Sequence, residues 1–350
     1  MTKFNHMVEA LKAQPSVWLI TGVAGFIGSN LLEALLQLNQ KVVGIDNFAT
    51  GSQMNLDDVR SQVTPTQWQN FYFIYGDVAD YADCQKAMFF PEQGEKLAVE
   101  YVLHQAALGS VPRSIDEPLN TNKVNITGFL NMLMAAHHVG VRRVVYASSS
   151  STYGDNTNLP KVEGCIGMPL SPYAVTKQTN ELYADVFTKS YHLSCVGLRY
   201  FNVFGRRQRS YGDYAAVTPR WIATMLNHSP VLINGDGKTT RDFCYVDNVV
   251  QANILAALTL QDETLHQRYN IAHGRETTLN QLFDYIKDAM AKQGVIYTQN
   301  PQYSSARKDD IRYSKADIAK ARQQLDYSPC CDVQAGVALT VAWYLGKGYA

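Results

Sequence analysis

The stretch TGVAGFIG, residues 21–28, puts Gly22, Gly25 and Gly28 between an apolar run, VWLIT, and a segment with helical spacing, SNLLEALLQL. Few folds place three glycines at such a junction. One glycine makes the tight turn out of a strand, one lets the backbone approach a pyrophosphate, and one lets helix and strand pack closely. The phosphates then meet free N–H groups at the positive end of the helix. The next apolar run, KVVGIDN, narrows the choice because it ends in Asp46, eighteen residues after Gly28. An acid there accepts hydrogen bonds from both hydroxyls of an adenosine ribose and repels a 2′-phosphate, which selects NAD over NADP. After a third run, FYFIYGDV, Asp77 is placed to meet the adenine edge.

Strand-like and helix-like segments keep alternating to about residue 204. The strands continue as YVLHQAA, RRVVYASSSS and SCVGLRYFNVFG, with helical patterns in NITGFLNMLMAAHHVG and SPYAVTKQTNELYADVFTKSY. Apolar strands alternating with helices mean a parallel sheet covered on both faces. We therefore expect an α/β chain: a Rossmann doubly wound parallel sheet with a smaller C-terminal α/β substrate-binding domain. The NAD-binding domain is assigned to residues 1–203 plus returning segments near 243–274, and the interleaved smaller domain to 204–350. Residues 1–14, with Phe4, Met7 and Leu11 spaced along them and Pro15 behind, read as an added helix.

Charge and cysteine usage exclude several functions. Lys plus Arg and Asp plus Glu number 31 each, so no overall field draws the chain to nucleic acid or to a membrane surface, and an anionic ligand must be held by local groups. Glycines interrupt the first apolar stretch and a polar segment precedes it, which fits neither a signal peptide nor a membrane span; a cytoplasmic protein is expected. The six cysteines have no CxxC spacing and no matching histidines, so neither disulfides nor a metal site is expected.

In SPYAVTK, Tyr173 and Lys177 are four residues apart and share one helix face. A lysine held near a tyrosine and a nicotinamide ribose favours phenolate, lowering a pKa that is otherwise about 10 and making a base usable near neutrality. The serine run of YASSSSTYGD, residues 146–155, sits at the end of a buried-strand pattern, which argues against a flexible linker. A hydroxyl at the carboxyl end of a parallel strand faces the crevice where such sheets bind ligands. Ser149, twenty-four residues before Tyr173, is the hydroxyl assigned to share a sugar proton with the tyrosine. Its neighbours between Ser148 and Ser151 remain alternatives for that role.

These motifs, together with DNFATG, HQAALGSVPRS, PLSPYAVTK, LRYFNVFGRRQ, NGDGKTTRDFCYVDNVVQAN and YNIA, give the chain a resemblance to the extended short-chain dehydrogenases from about residue 16 to 345. It most closely resembles the UDP-hexose 4-epimerases, in the UDP-N-acetylglucosamine 4-epimerase branch that interconverts UDP-GlcNAc and UDP-GalNAc. Epimerases of UDP-glucose/UDP-galactose or of UDP-uronates are the alternative. In this family the tyrosine takes the C4 hydroxyl proton while C4 gives its hydride to tightly bound NAD; the 4-keto sugar then turns over and takes the hydride back. Related 4,6-dehydratases carry an Asp-Glu pair at the serine-rich strand end, and UDP-glucuronate decarboxylases a glutamate. Here Ser149, Ser150, Ser151 and Thr152 stand there, with no carboxylate.

The resemblance implies the remaining site residues. Phe26, Ile27, Asn47, Phe48, Thr50, Gly51, Val78, Gln105, Ala106, Ala107, Asn125, Tyr200 and Val203 would join the glycines, Asp46, Asp77, Tyr173 and Lys177 around NAD. Arg241 and Arg307 would hold the UDP diphosphate with planar, forked donors, and Asn202 would donate to it. Ala216, Val217 and Asn234 would line the uridine pocket, and Asp310 would meet its ribose. Gly109, Ser110 and the serine run would bind an N-acetyl group, and Ser314, where hexose-only epimerases tend to carry tyrosine, leaves room for it. Arg113 is either a participant or a solvated charge. Lys308, Asp309, Arg209 and Ser210 depart from the family's usual residues. A homodimer is implied, pairing helices near 120–140 and 172–191 into a four-helix bundle.

Overall fold

The continuous apolar runs become buried parallel strands. The computed structural model describes residues 3–259, 266–305 and 312–347. Its main sheet has seven strands: β1 Val17–Thr21, β2 Lys41–Asp46, β3 Phe71–Tyr75, β4 Tyr101–His104, β5 Arg143–Ser149, β6 Cys195–Tyr200 and β7 Arg268–Ile271. They lie in the order β3-β2-β1-β4-β5-β6-β7, and every pairing is parallel. All of β1 and β6 is buried, as expected of strands covered on both faces, whereas the edge strand β3 leaves Tyr72 and Tyr75 exposed. After β3 the chain returns to place β4 against β1. The strand order reverses there, and ligands bind beyond the carboxyl ends of strands at such a point.

Strand alternation feeds two cores. On one face Trp18, Ile20 and Val145 meet the leucines of α2 (Phe26–Gln37), with Leu11 of the added helix α1 (Lys3–Ala13) on the same side. On the other, Leu19, Val43 and Val144 meet Phe129, Met132 and Leu133 of α3 (Gly128–Val139) and Ala184 and Phe187 of α4 (Pro172–Tyr191). A third core belongs to the smaller lobe. It joins α5 (Val217–Leu226), α7 (Leu279–Lys292) and α8 (Val333–Gly346) through Trp221, Ile222, Phe283, Ile286, Val337 and Val341.

The chain crosses between the lobes more than once. Helix α6 (Val246–Leu258) returns to the first core and β7 extends the main sheet beyond β6. Ala316, Ile318, Ala321, Leu325 and Tyr327 also pack into that core, so the return runs further than segments near 243–274. A hairpin, Phe89–Glu92 with Glu95–Ala98, was not anticipated from the sequence; it turns on Gln93 and Gly94, both at positive φ. Asn-Gly or Asp-Gly usually marks that turn, and a Gln-Gly pair is a weak signal. Among the described residues, no helix is long and apolar enough to cross a membrane.

Candidate active site

β1 ends at Thr21, and Gly22 turns the chain at φ +68°. A Cβ on Gly22 would lie 3.0 Å from the Ala106 backbone after β4, so only glycine lets the two sides of the switch point come this close. The wall is tied from behind: Thr21 Oγ1 accepts from the Gln105 and Ala106 N–H groups, each at 3.1 Å, and lies 3.0 Å from His104 Nδ1. Burial holds His104 down to about 3, so the ring is neutral, and Thr21 has a proton to donate to it. A Cβ on Gly28 would fall 2.1 Å from the Gly22 carbonyl oxygen, which fixes how closely α2 seats against the turn.

The resulting cleft, about 290 Å³, is lined by Gly22, Gly25, Phe26, Ile27 and Gly28, by Asp46, Asn47 and Thr50, by Asp77 and Val78, and by Gln105, Ala106, Ala107 and Gly109. It suits a dinucleotide. Gly25 caps α2 without a side-chain bond and the first turn carries no acid, so the helix-end N–H groups are free to meet a pyrophosphate. Among the described residues no Lys or Arg lines the cleft, so backbone N–H groups and the helix dipole would carry that charge. Asp46 accepts from the Ala24 and Phe48 N–H groups at 2.9 and 2.8 Å, and burial pushes its carboxyl above the ordinary value against those bonds. Asp46, expected as the partner of the adenosine ribose, therefore also shapes the glycine turn.

The serine run divides by strand phase. Ser148 is buried on one side and donates to Glu181 Oε1 at 2.6 Å. Arg199 grips that carboxylate with two bonds, 2.8 and 2.7 Å, and Arg268 Nε stands 3.5 Å away. Ser149, on the other side, lies near enough to the Tyr173 phenol to favour its charged form, and accepts from Ser151 N at 3.1 Å. Ser150 and Ser151 are half-buried and open a single 3₁₀ turn. Ser171 caps α4 by accepting from Ala174 N at 3.1 Å, which puts Tyr173 and Lys177 in its first two turns.

One expectation is corrected here. Lys177 donates to the Ala147 carbonyl at 2.8 Å, lies 5.8 Å from the Tyr173 ring centroid, and is brought by burial down to about 8. The Tyr173 phenol is raised, not lowered. Burial dominates, and the Ser149 hydroxyl rather than the lysine opposes it.

Asn125, Tyr200, Phe48 and Val203, expected at the dinucleotide, are not among the residues lining this cleft. Asn125, in one π-helical turn at 123–127, bonds Leu108 N and O at 2.8 and 3.2 Å and Thr176 Oγ1 at 3.1 Å, tying the cleft to α4. Tyr200 donates to Gln105 Oε1 at 3.1 Å. Phe48, at φ +57°, packs its ring 5.4 Å from Phe73, and Val203 belongs to a short strand paired with Cys244–Tyr245. Gly51 lines a neighbouring cavity of about 180 Å³ that shares Phe26 and Thr50 with the cleft.

A separate cavity of about 460 Å³ in the smaller lobe brings together Asn202, Ala216, Val217, Asn234 and Arg241. Arg220, Trp221, Thr224 and Leu279 line it too and were missed. For Arg220 a signal existed: it lies three residues beyond Val217, on the same helix face. Asn234 accepts from Ser304 at 3.0 Å, and Asn202 Nδ2 reaches the Asp242 carbonyl at 3.4 Å. Ser314 is half-buried. Arg307 and Asp310 lie outside the described residues.

Compared with known proteins, residues 18–272 match the model of the NAD dependent epimerase/dehydratase family. A UDP-glucose 4-epimerase of Mycolicibacterium smegmatis is 33% identical over 330 residues, 94% of this chain and 98% of that protein. The UDP-N-acetylglucosamine 4-epimerase of Methanobrevibacter ruminantium M1, solved with UDP-N-acetylmuramic acid, is 36% identical with a TM-score of 0.83, covering 95% of this chain and 99% of that one. The UDP-glucuronic acid 4-epimerase of Bacillus cereus, solved with UDP-glucuronic acid and NAD, is 29% identical with a TM-score of 0.80 and the same coverage. NAD is the cofactor that the cleft and the family share. By its glycine turn, its parallel sheet and a family match over most of its length, the chain belongs to the NAD-dependent epimerase/dehydratase family.

Proposed function

We propose that the chain is a UDP-sugar 4-epimerase whose preferred pair is UDP-GlcNAc and UDP-GalNAc. The observation that carries the reading is the hydroxyl-only strand end: Ser149 placed where it favours the Tyr173 phenolate, with no carboxylate among Ser149, Ser150, Ser151 and Thr152. Dehydration or decarboxylation would require an acid that this strand end lacks. NAD, when bound, supplies a hydride acceptor at C4 and later the donor. Tyr173 takes the C4 hydroxyl proton and returns it after the keto sugar has turned. Ser149 shares that proton and stabilises the phenolate, while Lys177, anchored on Ala147, keeps α4 in register with the strand end. Asn202, Arg241, Ala216, Val217 and Asn234 hold UDP, with Arg307 and Asp310 as further contacts, and relatives acting on UDP-sugars support this.

The acetylated pair is favoured by volume at Ser314, with Gly109 and Ser110 as N-acetyl contacts. A homodimer fits the exposed Leu119, Val175, Leu182 and Val186 on the two helical regions that would pair. Supplying acetylated, plain and uronate UDP-sugars separately, without added NAD, and following each by NMR tests the reading. Fastest turnover of the acetylated pair is expected. Faster turnover of a plain or uronate pair overturns the substrate assignment, and no 4-epimerisation of any UDP-sugar by protein that releases NAD on denaturation overturns the activity.

A further inference from the structure

The short helix Val111–Asp116 follows β4 in the sheet domain, while residues 211–216 lead into α5 of the smaller lobe. The two segments meet through three side chains. Tyr214 donates its hydroxyl to Asp116 Oδ2 at 2.9 Å, across 98 residues of sequence, and the Arg113 guanidinium lies 4.8 Å from the centroid of the Tyr214 ring. Arg113 is thus held by a contact between lobes.

Each end of this contact adjoins one cavity. Gly109 lines the dinucleotide cleft, and Ser110, next in the chain, caps the short helix by accepting from Arg113 N at 3.3 Å. On the other side Tyr214 is followed directly by Ala215, Ala216 and Val217, which line the cavity of the smaller lobe. The backbone between the two is strained: Ser110 sits at φ +102° and ψ +119°, a region residues with a Cβ rarely enter. Such strain persists where the surroundings over-determine it, and it clusters at ligand clamps.

We propose that Arg113, Asp116 and Tyr214 form a tie between the lobes that fixes the spacing of the sugar-binding and uridine-binding halves of the site, making them positioning residues for C4 against Tyr173 and Ser149. The inference rests on the UDP-sugar reading. A UDP-sugar spans both halves, so a small error in their spacing reaches the reacting carbon, where a misplacement of about 1 Å can cost roughly 10²-fold in rate. UDP without its sugar touches mainly the uridine half and is insensitive to the spacing. Tyr214 also makes its two contacts separately, the ring to Arg113 and the hydroxyl to Asp116.

The test uses the NAD-loaded enzyme and compares Tyr214→Ala, Tyr214→Phe, Asp116→Ala and the double variant Tyr214→Phe/Asp116→Ala. Turnover of UDP-sugar, UDP affinity by calorimetry, and retained NAD are measured in each. Tyr214→Ala is expected to lower kcat/KM by roughly tenfold to 10²-fold, while UDP affinity and retained NAD stay unchanged. Tyr214→Phe keeps the ring stacked and loses less. The double variant is no worse than either single one, because both remove the same bond. Unchanged turnover in Tyr214→Ala overturns the tie, and so does a loss matched by UDP affinity or accompanied by loss of NAD. An unsubstituted enzyme that turns over no UDP-sugar overturns the functional reading instead.

Discussion

Ser148 and Ser149 are neighbours with the same side chain, yet their alanine variants should fail in different ways. Ser148→Ala removes a buried 2.6 Å bond to a carboxylate and leaves Glu181 gripped by Arg199. A hydrogen bond to a charged group contributes about 1.5–3 kcal/mol. Unfolding entropy near 2.1 cal/mol/K per residue over 350 residues turns that into a Tm lower by about 2–4 °C. Turnover should hold, since Ser148 points away from Tyr173. Ser149→Ala loses a neutral bond to Ser151 N and should cost about 1 kcal/mol or less in stability. It should cut kcat by roughly 10²–10⁴, the range for losing a positioned proton-transfer partner. Ser149 opposes the burial-raised phenol of Tyr173, so its removal raises that phenol further and moves the acid limb of the kcat profile to higher pH. Thermal melts and NMR-followed turnover across pH, run on both variants, decide the matter. Equal losses of kcat, or the larger loss in Ser148→Ala, would refute the division by strand phase.

Other outcomes follow from single contacts. Gly28→Ala places a Cβ 2.1 Å from the Gly22 carbonyl oxygen, so the purified protein should carry no NAD, read by chromatography of the denatured supernatant. Burial holds folded Lys177 near 8, below the ordinary lysine value of about 10.4, so the unfolded chain binds the extra proton between those values and stability rises with pH through that window. Lys177→Met should abolish the rise in Tm from pH 8 upward; an unchanged slope assigns it to other groups. Ser314→Tyr should slow UDP-GlcNAc by at least about tenfold while sparing UDP-glucose, the discrimination a filled pocket gives, measured as the ratio of the two kcat/KM values.

What could be read before the structure was whatever local spacing encodes. The glycines and Asp46 carry their geometry in their intervals, and Tyr173 and Lys177 in a helical repeat. Alternation along β5 says that Ser148 and Ser149 face opposite ways but not which way each faces; Glu181 and Arg199, from other elements, decide that. The direction of the Tyr173 shift was equally out of reach, because burial is a property of the packed site. Trp221, Thr224 and Leu279 reach the smaller cavity from ordinary amphipathic helices with no glycine or acid to mark them. Arg113 found its partner on a loop 101 residues away, which no local pattern reports.

The repeated crossing of the chain between lobes bears on how such a protein can be altered. Cut after residue 204, the chain would lose β7 from beside β6 and α6 from the first core, leaving a raw sheet edge and an uncovered hydrophobic face. The smaller lobe is therefore no cassette. It cannot be exchanged as one contiguous block without dismantling the sheet that holds the dinucleotide, so new sugar preferences are reached through individual substitutions along the crevice.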